Sequence, residues 1–254
     1  MVGSMPRSWS AARLAPLTAG LAGLAWFWFE LAPQRAGFPD TDDPAVGLRF
    51  LAADPVAWPL GGLALAIAAI ALVATVITIR DRLEAAEPAP GVGAAGRAIA
   101  PRVVSAIGLV AAGFLIGQAT TRMAGGPVQY VQGLDQGWGE TAYLVTQFVG
   151  VQLFAVGGLA LLAIWAVGVA WLSARRGVMP RGVALLAVIP GFRLLGILGV
   201  LHLQPEGLWI FYLASIPGSF AWLLVLGAMS PGDTLARVRG SRPHEALDPQ
   251  EARG

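Results

Sequence analysis

Long apolar blocks separated by short polar stretches set the pattern of this chain. Six blocks stand out, at about residues 14–31, 58–79, 103–119, 142–172, 182–203 and 208–229. None alternates with a period of two, and none confines its apolar residues to a narrow stripe. A spanning helix needs about 20 mostly apolar residues, with a range of roughly 17–25. The pattern therefore predicts an all-α membrane protein, a bundle of six transmembrane helices over residues 14–229.

The blocks differ in their ends. The first has a basic start, as a signal peptide would, but it finishes on Trp26-Phe27-Trp28-Phe29-Glu30, where cleavage needs small residues. It reads as an uncleaved first helix. Residues 45–53, in the first loop, have the look of a short interfacial helix, and Arg80 and Arg82 are expected to stop the second block sharply. Residues 85–100 are rich in Ala, Gly and Pro and read as a flexible linker, and residues 120–141 read as a polar loop. The fourth block is too long for one perpendicular span, so a tilt or an extension into the headgroups is expected. Only Gln204-Pro205-Glu206-Gly207 separates the last two blocks, which makes them an antiparallel pair. Residues 1–13 form a short polar N-terminus, and residues 230–254 a polar tail expected to be disordered.

Charge orients the bundle. Of 254 residues only 13% are charged, against about 25% in an ordinary soluble domain. All seventeen basic residues are arginine, as a GC-rich bacterial genome would favour. Thirteen of them fall in the N-terminus, the second and fourth loops and the tail, and three in the other loops. The positive-inside rule then puts both termini in the cytoplasm and the protein in the cell membrane. Trp26, Trp28, Trp58, Trp209 and Tyr212 would form an outer aromatic belt, with Trp171 near the inner interface. No clustered basic face suggests a nucleic-acid partner. With no cysteine, disulfides and thiolate chemistry are excluded.

The seventeenth arginine, Arg193, lies inside the fifth block, just after Ile189-Pro190-Gly191-Phe192. The sixth block carries a matching Ile216-Pro217-Gly218-Ser219. Both helices are therefore expected to be interrupted at a Pro-Gly step. An arginine at mid-bilayer costs about 2.5–3.5 kcal/mol on the insertion scale. Pro190 frees the Leu186 carbonyl, and Arg193 shares its face, so the guanidinium has a partner in its own helix's break. Glu30 is a second candidate partner, about 8 Å further from the cytoplasm at 1.5 Å per residue. Ser215 and Ser219 would complete a polar pocket. Two readings follow. In one, both prolines merely kink their helices and Arg193 is held for stability. In the other, Arg193, Pro190, Gly191, Pro217, Gly218, Ser215, Ser219 and Glu30 form a ligand site in which Arg193 receives an anionic small molecule or lipid.

Other chemistry is sparse. His202 and Glu206 have a metal-compatible spacing, but Pro205 is expected to end the helix between them. The remaining histidine, His244, lies in the tail, so a bis-histidine haem within the bundle is excluded. Asp40, Asp42 and Asp43 lack the rest of a calcium loop. No metal or cofactor is expected, and an enzyme comes third after a binding or transport protein and a non-catalytic accessory subunit. The accessory subunit would meet a membrane partner through glycines such as Gly113 and Gly117.

Residues 175–229 resemble a broad group of uncharacterised bacterial six-helix integral membrane proteins, a domain-of-unknown-function family. The resemblance rests on Arg175-Arg176-Gly177-Val178-Met179-Pro180, on Pro217 and on Leu224-Val225-Leu226-Gly227. It implies a six-helix bundle and no particular activity.

Overall fold

The computed structural model describes residues 11–39, 43–86, 94–198 and 208–229, and all regular structure among them is helical. In chain order the helices are α1 (Ala11–Glu30), α2 (Ala32–Arg35), α3 (Pro44–Ala53), α4 (Ala57–Ala85), α5 (Ala94–Met123), α6 (Gly125–Leu134) and α7 (Gln136–Gln147). A π-helical segment, Phe148–Ala155, joins α7 to α8 (Val156–Arg176), followed by α9 (Arg181–Leu186), α10 (Val188–Leu198) and α11 (Leu208–Met229). Four stretches are long and apolar enough to cross a membrane: Ala57–Ala85, Ile99–Met123, Gln136–Arg176 and Ile210–Met229.

Their outer faces explain why a bilayer is the natural solvent. On α4 the inward stripe is Leu65, Ala68, Ala69, Leu72, Val76, Ile79 and Leu83, all buried. The opposite face carries Leu63, Ile67, Ile70 and Ile77, all exposed. A helix apolar all round has no face for water. Between such helices lipid gives little hydrophobic drive, so association rests on close packing. Small residues supply it. A Cβ on Gly23 of α1 would lie 1.9 Å from Phe220 of α11, and one on Gly227 would lie 2.7 Å from Leu17. Gly62 of α4 sits against the Ala119 carbonyl of α5, and Gly108 against Trp165 of α8. The packed interior centres on Trp165, Trp222, Phe220, Leu115 and Leu159.

Several elements depart from the sequence expectation. The arginines at 80 and 82 do not stop α4, which continues to Ala85. Half-buried arginine side chains near a helix C-terminus suit the helix dipole and leave the backbone ladder intact. The expected linker 85–100 is helical from Ala94 onward, because α5 begins about two turns before Pro101. The expected loop 120–141 is helical too, forming α6 and the start of α7. Asp135 caps α7, its carboxylate accepting from the Trp138 N–H at 3.0 Å. With α2 and α3 these helices form a second small core of Leu48, Phe50, Leu51, Trp58, Val128 and Tyr143. That core roofs one end of the bundle. Asp43 caps α3 by accepting from the Ala45 N–H at 2.9 Å, whereas Asp40 and Asp42 lie outside the described residues.

The two prolines behave differently. The fifth block is interrupted at Ala187, one turn before Pro190. The last block is not interrupted: α11 runs unbroken through Pro217 and Gly218. A proline removes one ladder bond but ends a helix only if the neighbouring carbonyls find other partners. The tail from 230 onward, residues 199–207 and thus His202, Pro205 and Glu206 lie outside the described residues.

Replacing Gly23 by Leu should lower the thermal midpoint in detergent by about 3–10 °C, the equivalent of about 1–3 kcal/mol of overpacking. The same change at Gly113, where a Cβ meets nothing within 4 Å, should leave the midpoint within about 2 °C. A differential scan of both variants beside the parent checks this.

Candidate functional site

Two buried arginines organise the polar interior, Arg122 and Arg193. Arg122 is near the end of α5, in the stretch the sequence presented as a loop. Its Nε donates to Glu30 Oε1 at 2.8 Å, and its Nη2 donates to Glu30 Oε2. The pair is thus bidentate, the geometry in which a guanidinium and a carboxylate match best. Nη1 donates to Gln147 Oε1 at 3.0 Å, and the Gln147 amide donates to the Tyr143 hydroxyl at 3.0 Å. Trp26 Nε1 donates to Glu30 Oε1 at 2.7 Å. The guanidinium carbon lies 4.5 Å from the centre of the Trp58 ring, which stacks on Tyr143 at 5.7 Å.

Helix spacing builds this network. Trp26 and Glu30 are four residues apart on α1, and Tyr143 and Gln147 four apart on α7, so each pair shares a face. The π segment begins at Phe148, immediately after Gln147. Gln118, one turn before Arg122, is buried and its Oε1 has no hydrogen-bond partner among the described residues. It faces Gly150 of the π segment, where a Cβ would come within 3.1 Å.

Glu30 is therefore not a partner of Arg193, as the sequence suggested; it is fully engaged with Arg122 and Trp26. Depth along each helix could not reveal this, because Arg122 was absent from the expected third span. Trp26 and Trp58, expected in an outer aromatic belt, are buried against the ion pair, with 3% and 5% exposure. Trp28, by contrast, is exposed, and Arg35 lies 3.7 Å over its ring.

Arg193 sits on α10 and is 2% exposed. Its neighbours follow from the register of α10 against α11. A Cβ on Gly218 would meet Ile189 at 2.4 Å, and one on Gly196 would meet Tyr212 at 2.6 Å. That antiparallel register puts Arg193 level with Ser215. The guanidinium does not turn back to the Leu186 carbonyl. It crosses to α11, where Nη2 donates to the Tyr212 hydroxyl at 2.8 Å and Nη1 reaches the Tyr212 carbonyl at 3.4 Å. The ring of Tyr212 lies 3.5 Å from the guanidinium carbon. No carboxylate pairs with Arg193 among the described residues, and its buried Nε has no acceptor.

The other residues of the expected site serve the backbone. Ser215 and Ser219 donate to the Tyr212 and Ser215 carbonyls, each at 2.7 Å. Ala187 N–H, three residues before Pro190, turns to the Ala184 carbonyl at 3.2 Å. The Val183 carbonyl thereby freed accepts from Trp222 Nε1 at 3.0 Å. Gly191 packs against Val167 of α8, and Gly218 against Ile189. Gly117 is covered by Phe154, and Gly113 is exposed.

No family model, curated protein or solved structure matches this chain.

Removing one partner of the Arg122–Glu30 pair should be far worse than removing both. Glu30→Leu or Arg122→Leu alone should cost about 3–5 kcal/mol, since each leaves a charge unpaired, while the double variant should recover most of that loss. Denaturant titration of the three variants in detergent, read as a double-mutant cycle, tests the coupling.

Proposed function

We propose that this protein crosses the cell membrane six times, with both termini in the cytoplasm, and binds an anionic group at Arg193. Four crossings rest on length and composition. α1 supplies a fifth, because it lies between α4 and α11 along its whole length. Leu17 meets Gly227 at one end, and Phe29 meets Gly61 at the other. A helix in register with two spanning neighbours occupies the same depth. The α9–α10 pair supplies the sixth, held against α8 at Gly191 and against α11 at Gly196 and Gly218. The arginines favour the orientation. Arg13 meets the Ala228 carbonyl, Arg102 lies 3.6 Å from Glu84, and Arg176 donates to the Leu83 carbonyl, so they gather at one end of the bundle. The roof of α2, α3 and α6 then lies on the outer side.

One observation carries the binding role. Of the two buried arginines, Arg122 has a bidentate carboxylate and Arg193 has none among the described residues. A hydrogen bond to a charged group contributes about 1.5–3 kcal/mol and a cation–π contact about 0.5–2 kcal/mol. Together these are comparable to the roughly 2.5–3.5 kcal/mol insertion cost. Tyr212 can therefore hold the side chain in place, yet it leaves the charge unneutralised and Nε without an acceptor. A carboxylate or phosphate oxygen supplies both needs. The bound ligand is then a small anion or the headgroup of a lipid.

Dodecyl phosphate tests this as a soluble anionic probe. At a hundred times its Kd it should raise the thermal midpoint of the parent protein by roughly 5–10 °C. Arg193→Leu should still express and fold, with that rise clearly reduced, and Tyr212→Phe should keep most of it. Collapse of both variants during purification would instead make Arg193 a purely structural residue.

A further inference from the structure

A groove runs along the face of α9 and α10 opposite the Arg193 side chain. It has a volume of about 610 Å³ and lies between α8 on one side and α9–α10 on the other. Arg193 does not line it, because it projects from the α11-facing side of α10. The groove exists because its floor is made of small side chains, Ala170 and Ala174 of α8 and Ala184, Ala187 and Gly191 of α9 and α10. Larger apolar residues such as Leu185 and Leu195 form its walls. The broken turn at Ala187 lies on this floor.

One end of the groove is basic. Arg181 lines it and is exposed, and Trp171 lines it with the Arg175 guanidinium 4.0 Å over its ring. Neither Arg175 nor Arg181 pairs with a carboxylate among the described residues. The rest of the lining is apolar. From Arg181 to Leu195 the groove follows α9 and α10 for about 20 Å at 1.5 Å per residue. The hydrocarbon of one leaflet is about 15 Å deep, half of a core of about 30 Å. An acyl chain whose headgroup rests at Arg181 would thus end within the groove. Trp171 at the mouth is an amphipathic ring at headgroup level.

We propose that this groove is a binding site for an anionic phospholipid of the cytoplasmic leaflet. One acyl chain lies on the alanine floor, and the headgroup phosphate is held by Arg181 and Arg175. Two unpaired arginines favour a headgroup with net negative charge over a zwitterionic one, whose ammonium they would repel. The site is separate from Arg193, so either can fail without the other.

The local reporter is Trp171, isolated by subtracting the emission of a Trp171→Phe variant. The protein is placed in phosphatidylcholine nanodiscs with a minor fraction of lipid brominated on its acyl chains. Brominated phosphatidylglycerol should quench Trp171 at lower mole fraction than brominated phosphatidylcholine. Arg181→Gln and Arg175→Gln should each weaken that preference about fivefold. Ala174→Phe, at an exposed groove position, should reduce quenching by both lipids. Equal quenching by the two lipids, or a preference that survives the double arginine variant, overturns the proposal. Dodecyl phosphate has the phosphate and chain that fit this groove as well, so the Arg193-dependent rise is read in the Arg175→Gln, Arg181→Gln background, where it should persist whether or not the groove binds lipid.

Discussion

Away from water, a polar group must find its partner inside the chain, and that constraint explains most of the side-chain placement in this bundle. An unsatisfied backbone or side-chain group in hydrocarbon costs several kcal/mol. Thr75 and Ser105 return their hydroxyls to carbonyls one turn back, at 2.8 and 2.7 Å. Trp222 turns its indole N–H to the Val183 carbonyl that the α9–α10 turn frees. Glu30 collects two donors from Arg122 and one from Trp26. Helix packing follows the same logic, since glycines that admit Phe220 or the Ala119 carbonyl bring backbones close enough for such bonds to form.

The two prolines show how local partners decide between a kink and a break. Before Pro190 the ladder tightens, with the Ala187 N–H turning to Ala184. That shift is sustained by a bond from another helix, Trp222 to Val183. At Pro217 the neighbouring polar groups belong to the same helix. The Ser215 and Ser219 hydroxyls bond within their own turns, and among the described residues no side chain from another helix takes a carbonyl there except Arg193 at Tyr212. The helix consequently stays whole. Identical Pro-Gly dipeptides thus lead to different backbones because their neighbours differ.

This also marks what the sequence could reveal. The apolar blocks were legible because period and length are local properties, and they gave the helical class and the outline of the bundle. Arg193 was legible because a charge in an apolar block stands out. Arg122 was not, because Thr120, Thr121 and the polar run after it masked a helix that continues to Met123. A signal did exist: Leu115, Ala119 and Arg122 continue the inward spacing of α5, and Trp26–Glu30, Gln118–Arg122 and Tyr143–Gln147 all repeat at four residues. That the three pairs meet could not be read, since it depends on the packing of α1, α5 and α7 under the outer helices.

The contrast between the two arginines is what the proposed binding role rests on. A buried bidentate pair has no net charge and attracts nothing from outside. It costs stability unless its geometry is good, and it fixes which helices meet. Arg122 and Glu30, with Gln147 and Trp26 filling their remaining valences, suit that role. A guanidinium held by a tyrosine keeps its full charge in a medium of low dielectric, where an approaching anion feels it strongly. The same bundle therefore holds one arginine whose field is closed by its neighbours and another whose field is left open.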